Sequence, residues 1–199
     1  MAIKIIHADA ATQSVSADMI ITDPPFEMDG EKLSCVLMNY QADHLILICS
    51  MRQLLDYSKH QTEYKFGFDM VLDIVAPKQS KSQQQPNYTH AHAVYFYRKK
   101  SAFNRKLGRR FDVFTDGYFP TIVRAPRERN DEHGHAKSVA ALQSILSFFD
   151  VKSVVDPFAG SGTTGLACVE LGLDCTLIEQ SAAHVKSMQK TFRFLGLVA

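Results

Sequence analysis

Nowhere does this sequence hold a run of about eighteen apolar residues, so no segment has the make-up of a membrane-spanning helix. The opening Met1-Ala2-Ile3-Lys4-Ile5-Ile6 is too short and too quickly polar to read as a signal peptide. Cys-x-x-Cys spacing is missing as well: Cys35, Cys49, Cys168 and Cys175 stand apart, which favours buried reduced thiols over a zinc site or a disulfide framework. Together these absences lead to the expectation of a cytoplasmic protein. A strong charge imbalance is also lacking. The formal net charge is only +1, which by itself argues neither for nor against a nucleic-acid partner. No internal repeat is visible and no linker is long enough to separate a pair of domains. The 199 residues therefore suit one domain, 1–199, with a sizeable core.

What is present is an alternation of apolar strands and amphipathic helices. Ile3, Ile5 and Ile6 read as a first strand ending at His7-Ala8-Asp9, and Met19-Ile20-Ile21 as a second, short and continuously apolar, as in a parallel sheet covered on both faces. Leu33, Val36, Leu37 and Tyr40 recur at helical spacing between Glu31 and Gln41, ahead of a buried strand His44–Cys49. Arg52 to Ser58 reads as the start of a further helix. Phe66–Val75 and His92–Tyr97 read as two more strands separated by the polar stretch Lys78–Asn87. His90 and His92 alternate there without a third ligand in view, so solvent or packing roles are favoured over metal. Val139, Leu142, Ile145, Leu146 and Phe149 form the apolar face of another helix, and the helix Ser181–Leu195 closes the chain.

Two strand ends carry chemistry. The second strand runs into Asp23-Pro24-Pro25-Phe26, where two prolines stop it, fix their own φ and offer no N–H. That leaves a carboxylate, a ring and several carbonyls at a strand's C-terminal end, where open α/β sheets bind ligands. Val154-Val155-Asp156-Pro157-Phe158-Ala159-Gly160-Ser161-Gly162-Thr163-Thr164-Gly165 is a second apolar strand, entering a glycine-rich turn that opens a helix bearing Leu166, Val169 and Leu171. The glycines also fit the dinucleotide fingerprint, so an NAD-type dehydrogenase has to be weighed. It leaves Asp23–Phe26 without a purpose. A P-loop is disfavoured because no Lys follows the glycines.

Taken together, Asp-Pro-Pro-Phe and Phe-Ala-Gly-Ser-Gly resemble the catalytic motif and cofactor loop of amino-methyltransferases that use S-adenosylmethionine. Their order, catalytic motif first and cofactor loop near the C-terminus, resembles the beta class of DNA adenine-N6 and cytosine-N4 methyltransferases. The resemblance implies an α/β, Rossmann-like methyltransferase fold: a mostly parallel central sheet, helices on both faces, and a circularly permuted motif order. It implies S-adenosylmethionine as cofactor and Asp23, Pro24, Pro25 and Phe26 as catalytic residues. Asp156, Phe158, Gly160, Gly162 and Thr163 would line the cofactor. Glu179, ending the strand Cys175–Glu179, lies about where a carboxylate accepting both ribose hydroxyls is expected. Asp9 would approach the cofactor's adenine amino group, or else cap a loop. His133-Gly134-His135-Ala136-Lys137-Ser138 resembles the family's His-Pro-Lys-Pro type motif, although Ala136 and Ser138 stand where prolines are usual. Either His133 or His135 matches its histidine; His135 and Lys137 are favoured.

From Arg98 to Arg129 the composition turns basic. Arg105, Arg109, Arg110, Arg124 and Arg127 are prominent, with Phe103, Phe111, Phe114, Tyr118 and Phe119 interleaved. Cations with aromatics suit a phosphate backbone; the plainer reading is a solvated basic face around a small core cluster. In the resembled family this interval holds target recognition, so a short recognition segment at about 98–134 is expected. Double-stranded DNA is the expected partner, with RNA also open. A homodimer stands among the expected assemblies, and no membrane. Adenine is favoured over cytosine because Ser commonly replaces the first Asp of the motif in cytosine-N4 enzymes. Methylation at C5 would need an attacking cysteine, and no cysteine here follows a proline. The non-catalytic alternative is a module that binds S-adenosylmethionine and DNA and transfers nothing.

Overall fold

The computed structural model describes residues 1–78, 88–107, 121–125 and 138–197. In chain order the strands are β1 (Ile3–His7), β2 (Met19–Thr22), β3 (His44–Cys49), β4 (Lys65–Lys78), β5 (Tyr88–Tyr97), β6 (Ile122–Ala125), β7 (Ser153–Asp156) and β8 (Asp174–Glu179). The helices are α1 (Gly30–Met38), α2 (Met51–His60), α3 (Val139–Leu146), α4 (Thr163–Leu171) and α5 (Ala182–Phe194), with a 3-10 turn at Ala10–Thr12.

The eight strands form one sheet in the order β1-β8-β7-β2-β3-β5-β4-β6. Among the described residues five of the seven strand pairs are parallel, and the two made by β5 run antiparallel. This is the mostly parallel sheet expected, with β6 an additional strand inside the basic segment that periodicity did not reveal. Four residues are too few to show a period.

Both faces are covered, which is why the central strands are apolar through their middles, with polar residues at their ends. Leu33, Val36 and Leu37 of α1 and Tyr57 of α2 pack on one face with Ile20, Leu45, Leu47 and Val94. Leu142 and Ile145 of α3, Ala167 and Cys168 of α4, and Met188 and Phe192 of α5 pack on the other with Met19, Ile21, Ile46 and Val154. Successive residues of β2 thus serve opposite layers, and all four are buried. No helix among the described residues is long and apolar enough to cross a membrane.

The chain leaves β2 through α1 to β3 on one side, and leaves β7 through α4 to β8 on the other. These two strands are hydrogen-bonded neighbours, Met19 opposite Val154 and Ile20 opposite Val155. Between them the winding changes direction. A crevice opens at the C-terminal ends of strands at such a point, which is where doubly wound sheets bind ligands.

Candidate active site

The two motifs follow these neighbouring strands and so lie side by side at that switch point. Asp23 follows β2 directly, half-buried, with Pro24 buried and Pro25 exposed behind it. The strand stops here because neither proline has an N–H to continue a ladder. Pro25 O then accepts the Met28 N–H at 2.9 Å, closing a tight turn across Phe26. Asp29 caps α1 by accepting Lys32 N–H at 2.7 Å. Phe26 itself is 47% exposed at the mouth.

Asp156, ending β7, binds the second motif to the first. Its carboxylate accepts from Thr22 Oγ1 at 2.8 Å, Thr164 Oγ1 at 2.6 Å and the Phe158 N–H at 3.0 Å. Thr22 is the residue immediately before Asp23. The residue 156 carboxylate therefore joins β2, the glycine loop and the first turn of α4, in a residue only 3% exposed. Burial raises its pKa to about 6. The bonds from Thr164, Thr22 and the Phe158 amide counter that rise, and the nearby Asp23 charge adds to it. Sequence reading placed Asp156 among the cofactor contacts; in the structure its carboxylate accepts three bonds from the protein and ties the two loops together.

Beyond Asp156 the chain turns through Gly160 at φ +53° and Gly162 at φ +87°, the left-handed region that glycine enters without penalty. The two glycines have different surroundings. A Cβ on Gly162 would lie 2.8 Å from Met188 Cγ, whereas one on Gly160 would have nothing within 4 Å. Gly160 thus borders open space. Gly162 is the N-cap of α4 and supplies no side-chain acceptor, so the first amides of this helix face the crevice with their partial positive charge. Thr163, the first residue of α4, has its hydroxyl 3.2 Å from Ser161 Oγ.

Glu179 stands at the end of β8, beside β7. One carboxylate oxygen accepts the Gly160 N–H at 2.8 Å and the other the Ser181 N–H at 2.7 Å. Each oxygen retains a further acceptor direction. Across β1, His7 is the register partner of Glu179, and Asp9 lies two residues farther along the same edge. Asp9 caps the 3-10 turn, accepting the Ala11 N–H at 2.9 Å, and is exposed. That is the loop-capping role foreseen for it, in a position that still borders the crevice.

An anion-attracting helix start, a glycine with open space before it and a carboxylate on the next strand suit a ligand with a carboxylate at one end and a ribose at the other. These features fit an S-adenosylmethionine-like molecule. No group of three or more His, Cys, Asp or Glu among the described residues is placed to hold a metal ion. His90 and His92 meet edge-on, ring centroids 5.3 Å apart.

The basic segment divides. Arg124 lies in β6, which runs parallel to β4 and so reaches the same edge as Asp23. Arg105 does not. Phe103 bridges to Phe149 just before β7, Asn104 N–H donates to Phe148 O, and Asp150 N–H donates to Ala102 O. These bonds hold 102–105 at the N-terminal edge of the parallel strands, the edge opposite Asp23, so the structure does not bring Arg105 together with Arg124. Arg109, Arg110, Arg127, His133, His135 and Lys137 lie outside the described residues.

Sequence reading missed Thr22 and Thr164, the donors to Asp156, and Gln53, described below. A hydroxyl inside an apolar strand and another in a helix's first turn were the only signals.

The family model described as DNA methylase, of the N6/N4 methyltransferase type, matches residues 39–190. That span holds the glycine loop and Glu179 and begins after Asp23–Phe26, which the sheet joins to it. No curated protein matches the chain in sequence. Among solved structures, the complex of M1.HpyAVI with SAM is similar, with a TM-score of 0.72, 23% identity and coverage of 95% of this chain and 99% of that one. The cytosine-N4-specific PvuII DNA methyltransferase gives a TM-score of 0.73 at 12% identity, covering 98% of this chain and 86% of that one. The Thermus thermophilus protein TTHA0409, complexed with S-adenosyl-L-methionine, gives 0.65 at 15% identity over 96% and 93%. At these identities the likeness is one of fold.

Proposed function

The chain belongs to the N6/N4 family of DNA methylases, and from that premise we propose that it is an adenine-N6 DNA methyltransferase whose residues 1–199 act as one catalytic domain. One observation carries the proposal: β2 and β7 are parallel neighbours at the switch point, so Asp23 and the Gly160–Gly162 loop open onto one crevice, joined by the Thr22–Asp156 hydrogen bond.

S-adenosylmethionine, when bound, supplies an electrophilic sulfonium methyl, which the amine takes on its own lone pair while the S–CH3 bonding pair stays on sulfur and one amino proton leaves, through the Asp23 carboxylate that accepts it, to solvent. The amides of α4 would receive the cofactor's carboxylate, Gly160 would leave room for it, and Glu179 would accept from the ribose hydroxyls. Asp9 would border its adenine.

The amino nitrogen of adenine is a poor nucleophile because its lone pair is delocalised into the ring. The Asp23 carboxylate and the Pro24 carbonyl would each accept one N–H, which pulls the nitrogen toward tetrahedral geometry and frees the pair. A charged acceptor does this more strongly than a neutral one. Phe26, exposed at the mouth, would stack on the base. Reaching this pocket requires the base to leave the duplex, at a few kcal/mol. Alignment of nitrogen and methyl supplies much of the remaining acceleration. Arg124, at the same edge, would contact the phosphate backbone.

Adenine is preferred because the motif begins with Asp23. Cytosine-N4 is the second reading, favoured by the structural likeness to a cytosine-N4-specific enzyme. Nucleoside analysis by mass spectrometry, on DNA from a methylation-free host expressing the chain, separates them. N6-methyladenine is expected; N4-methylcytosine alone would replace the reading with the second one, and neither base would refute both.

A further inference from the structure

Resting on that reading, we infer that Gln53 is a positioning residue for methyl transfer: from α2 it holds the backbone on both sides of Phe26 and so sets the acceptor geometry of Asp23 and Pro24. The need for an outside holder follows from the motif itself. Pro24 and Pro25 contribute no N–H, so the turn has few donors with which to tie itself.

Gln53 supplies them. Its Nε2 donates to Pro25 O at 2.9 Å and to Met28 O at 3.2 Å. Both partners are carbonyls, so the NH2 end of the amide has to face them and the orientation follows from chemistry. The side chain is 3% exposed. Its Oε1 is buried with no hydrogen-bond partner, an expense that an apolar residue of like size would avoid. What an apolar residue would lack is the pair of donors.

The helix is seated to make this contact. Ser50 caps it by accepting the Gln53 N–H at 3.2 Å, which places residue 53 in the first turn, at the end of β3 beside β2. One turn later, Asp56 Oδ2 accepts the Gly30 N–H at 2.6 Å. A Cβ on Gly30 would lie 2.3 Å from the Asp56 carbonyl carbon, so only glycine permits this approach. Residues 25, 28 and 30 are thereby fixed to 53 and 56. Phe26 lies between the two carbonyls that Gln53 holds.

The test uses the full chain with tritiated S-adenosylmethionine and unmethylated plasmid DNA under single-turnover conditions, beside calorimetric affinity for the cofactor. Gln53→Leu should keep cofactor affinity within about twofold and lower the transfer rate constant at saturating DNA at least about tenfold. Gln53→Glu should be comparably slow near about pH 8 and recover at least about tenfold, relative to wild type, near about pH 6. There the buried carboxyl takes a proton and can donate to one carbonyl. Wild-type transfer rates in both variants would overturn the inference. So would a Gln53→Leu loss that appears equally in cofactor affinity, since that marks general damage. Should Gln53→Leu fail to fold, the Glu variant decides alone, and a flat ratio to wild type across that pH range refutes the role. A wild-type chain that labels no DNA would instead defeat the underlying functional reading, and is distinguished by that arm.

Discussion

The two edges of the sheet are built on opposite plans. At the C-terminal edge of β2, β7 and β8 lie two prolines without donors, two glycines at positive φ, a helix start without a side-chain cap and the carboxylates of Asp23 and Glu179. At the N-terminal edge ion pairs and packed rings predominate. Arg98 pairs with Glu63 and lies over the Tyr64 ring, Lys99 reaches Asp43, and Phe103 packs against Phe68, Phe148 and Phe149. The segment richest in cations begins at the closed edge, while the proposed chemistry belongs to the open one. Strand direction, more than residue type, decides where a ligand can be handled.

The sharpest way to break that contrast is Asp23→Ala. Loss of the charged acceptor should lower methyl transfer by about 10²- to 10³-fold with cofactor affinity nearly intact, as read by label incorporation and calorimetry. Undiminished turnover would remove the open edge from the chemistry. Next come the glycines, whose surroundings differ. Gly162→Ala pushes a Cβ against Met188 and strains the backbone, and should lower the melting temperature and cofactor affinity together. Gly160→Ala meets nothing in the protein; it should weaken cofactor binding about tenfold with a smaller thermal effect. Equal thermal losses would contradict the open space assigned to Gly160.

Asp156 gives a pH-dependent test of intermediate size. Because burial raises its pKa to about 6 in the folded chain, the native state holds this proton more tightly than the unfolded state. Protonation therefore stabilises the fold. That contribution is complete below the unfolded carboxylate value and is lost as pH rises through about 6. Asp156→Asn removes the titration, so wild type should gain stability relative to the variant on going from about pH 7 to about pH 5, by denaturant unfolding. A difference independent of pH would show that the carboxylate is not buried as described.

The smallest effects belong to the arginines. Arg124→Ala, at the open edge, should weaken DNA binding and reduce its salt slope by about 1. Arg105→Ala should leave both nearly unchanged. If Arg105 proves the more damaging loss, the closed edge takes part in binding and the contrast fails.

Most of the architecture was legible because alternating apolar strands and 3.6-residue helices leave strong periods. Met19–Ile21 and Val154–Asp156 could be read as buried parallel strands, and their turn residues marked the crevice. Their adjacency could not be read, since 134 residues separate Thr22 from Asp156 and no local pattern records which strands pair. Gln53 was equally hidden. On the helical period it is one more polar residue of an amphipathic segment, and only the approach of α2 to Pro25 turns it inward. The place of Arg105 was hidden for the same reason: composition registers charge but not the edge at which a loop returns.

The most direct trial of the crevice is a crystal structure of this chain with S-adenosylmethionine. The carboxylate end should sit at the amides of α4, the ribose at Glu179, and the methyl should face Asp23 across the gap between β2 and β7. Density for the cofactor away from Gly160, or a methyl pointing to a surface that Asp23 does not share, would contradict the single crevice on which the functional reading stands.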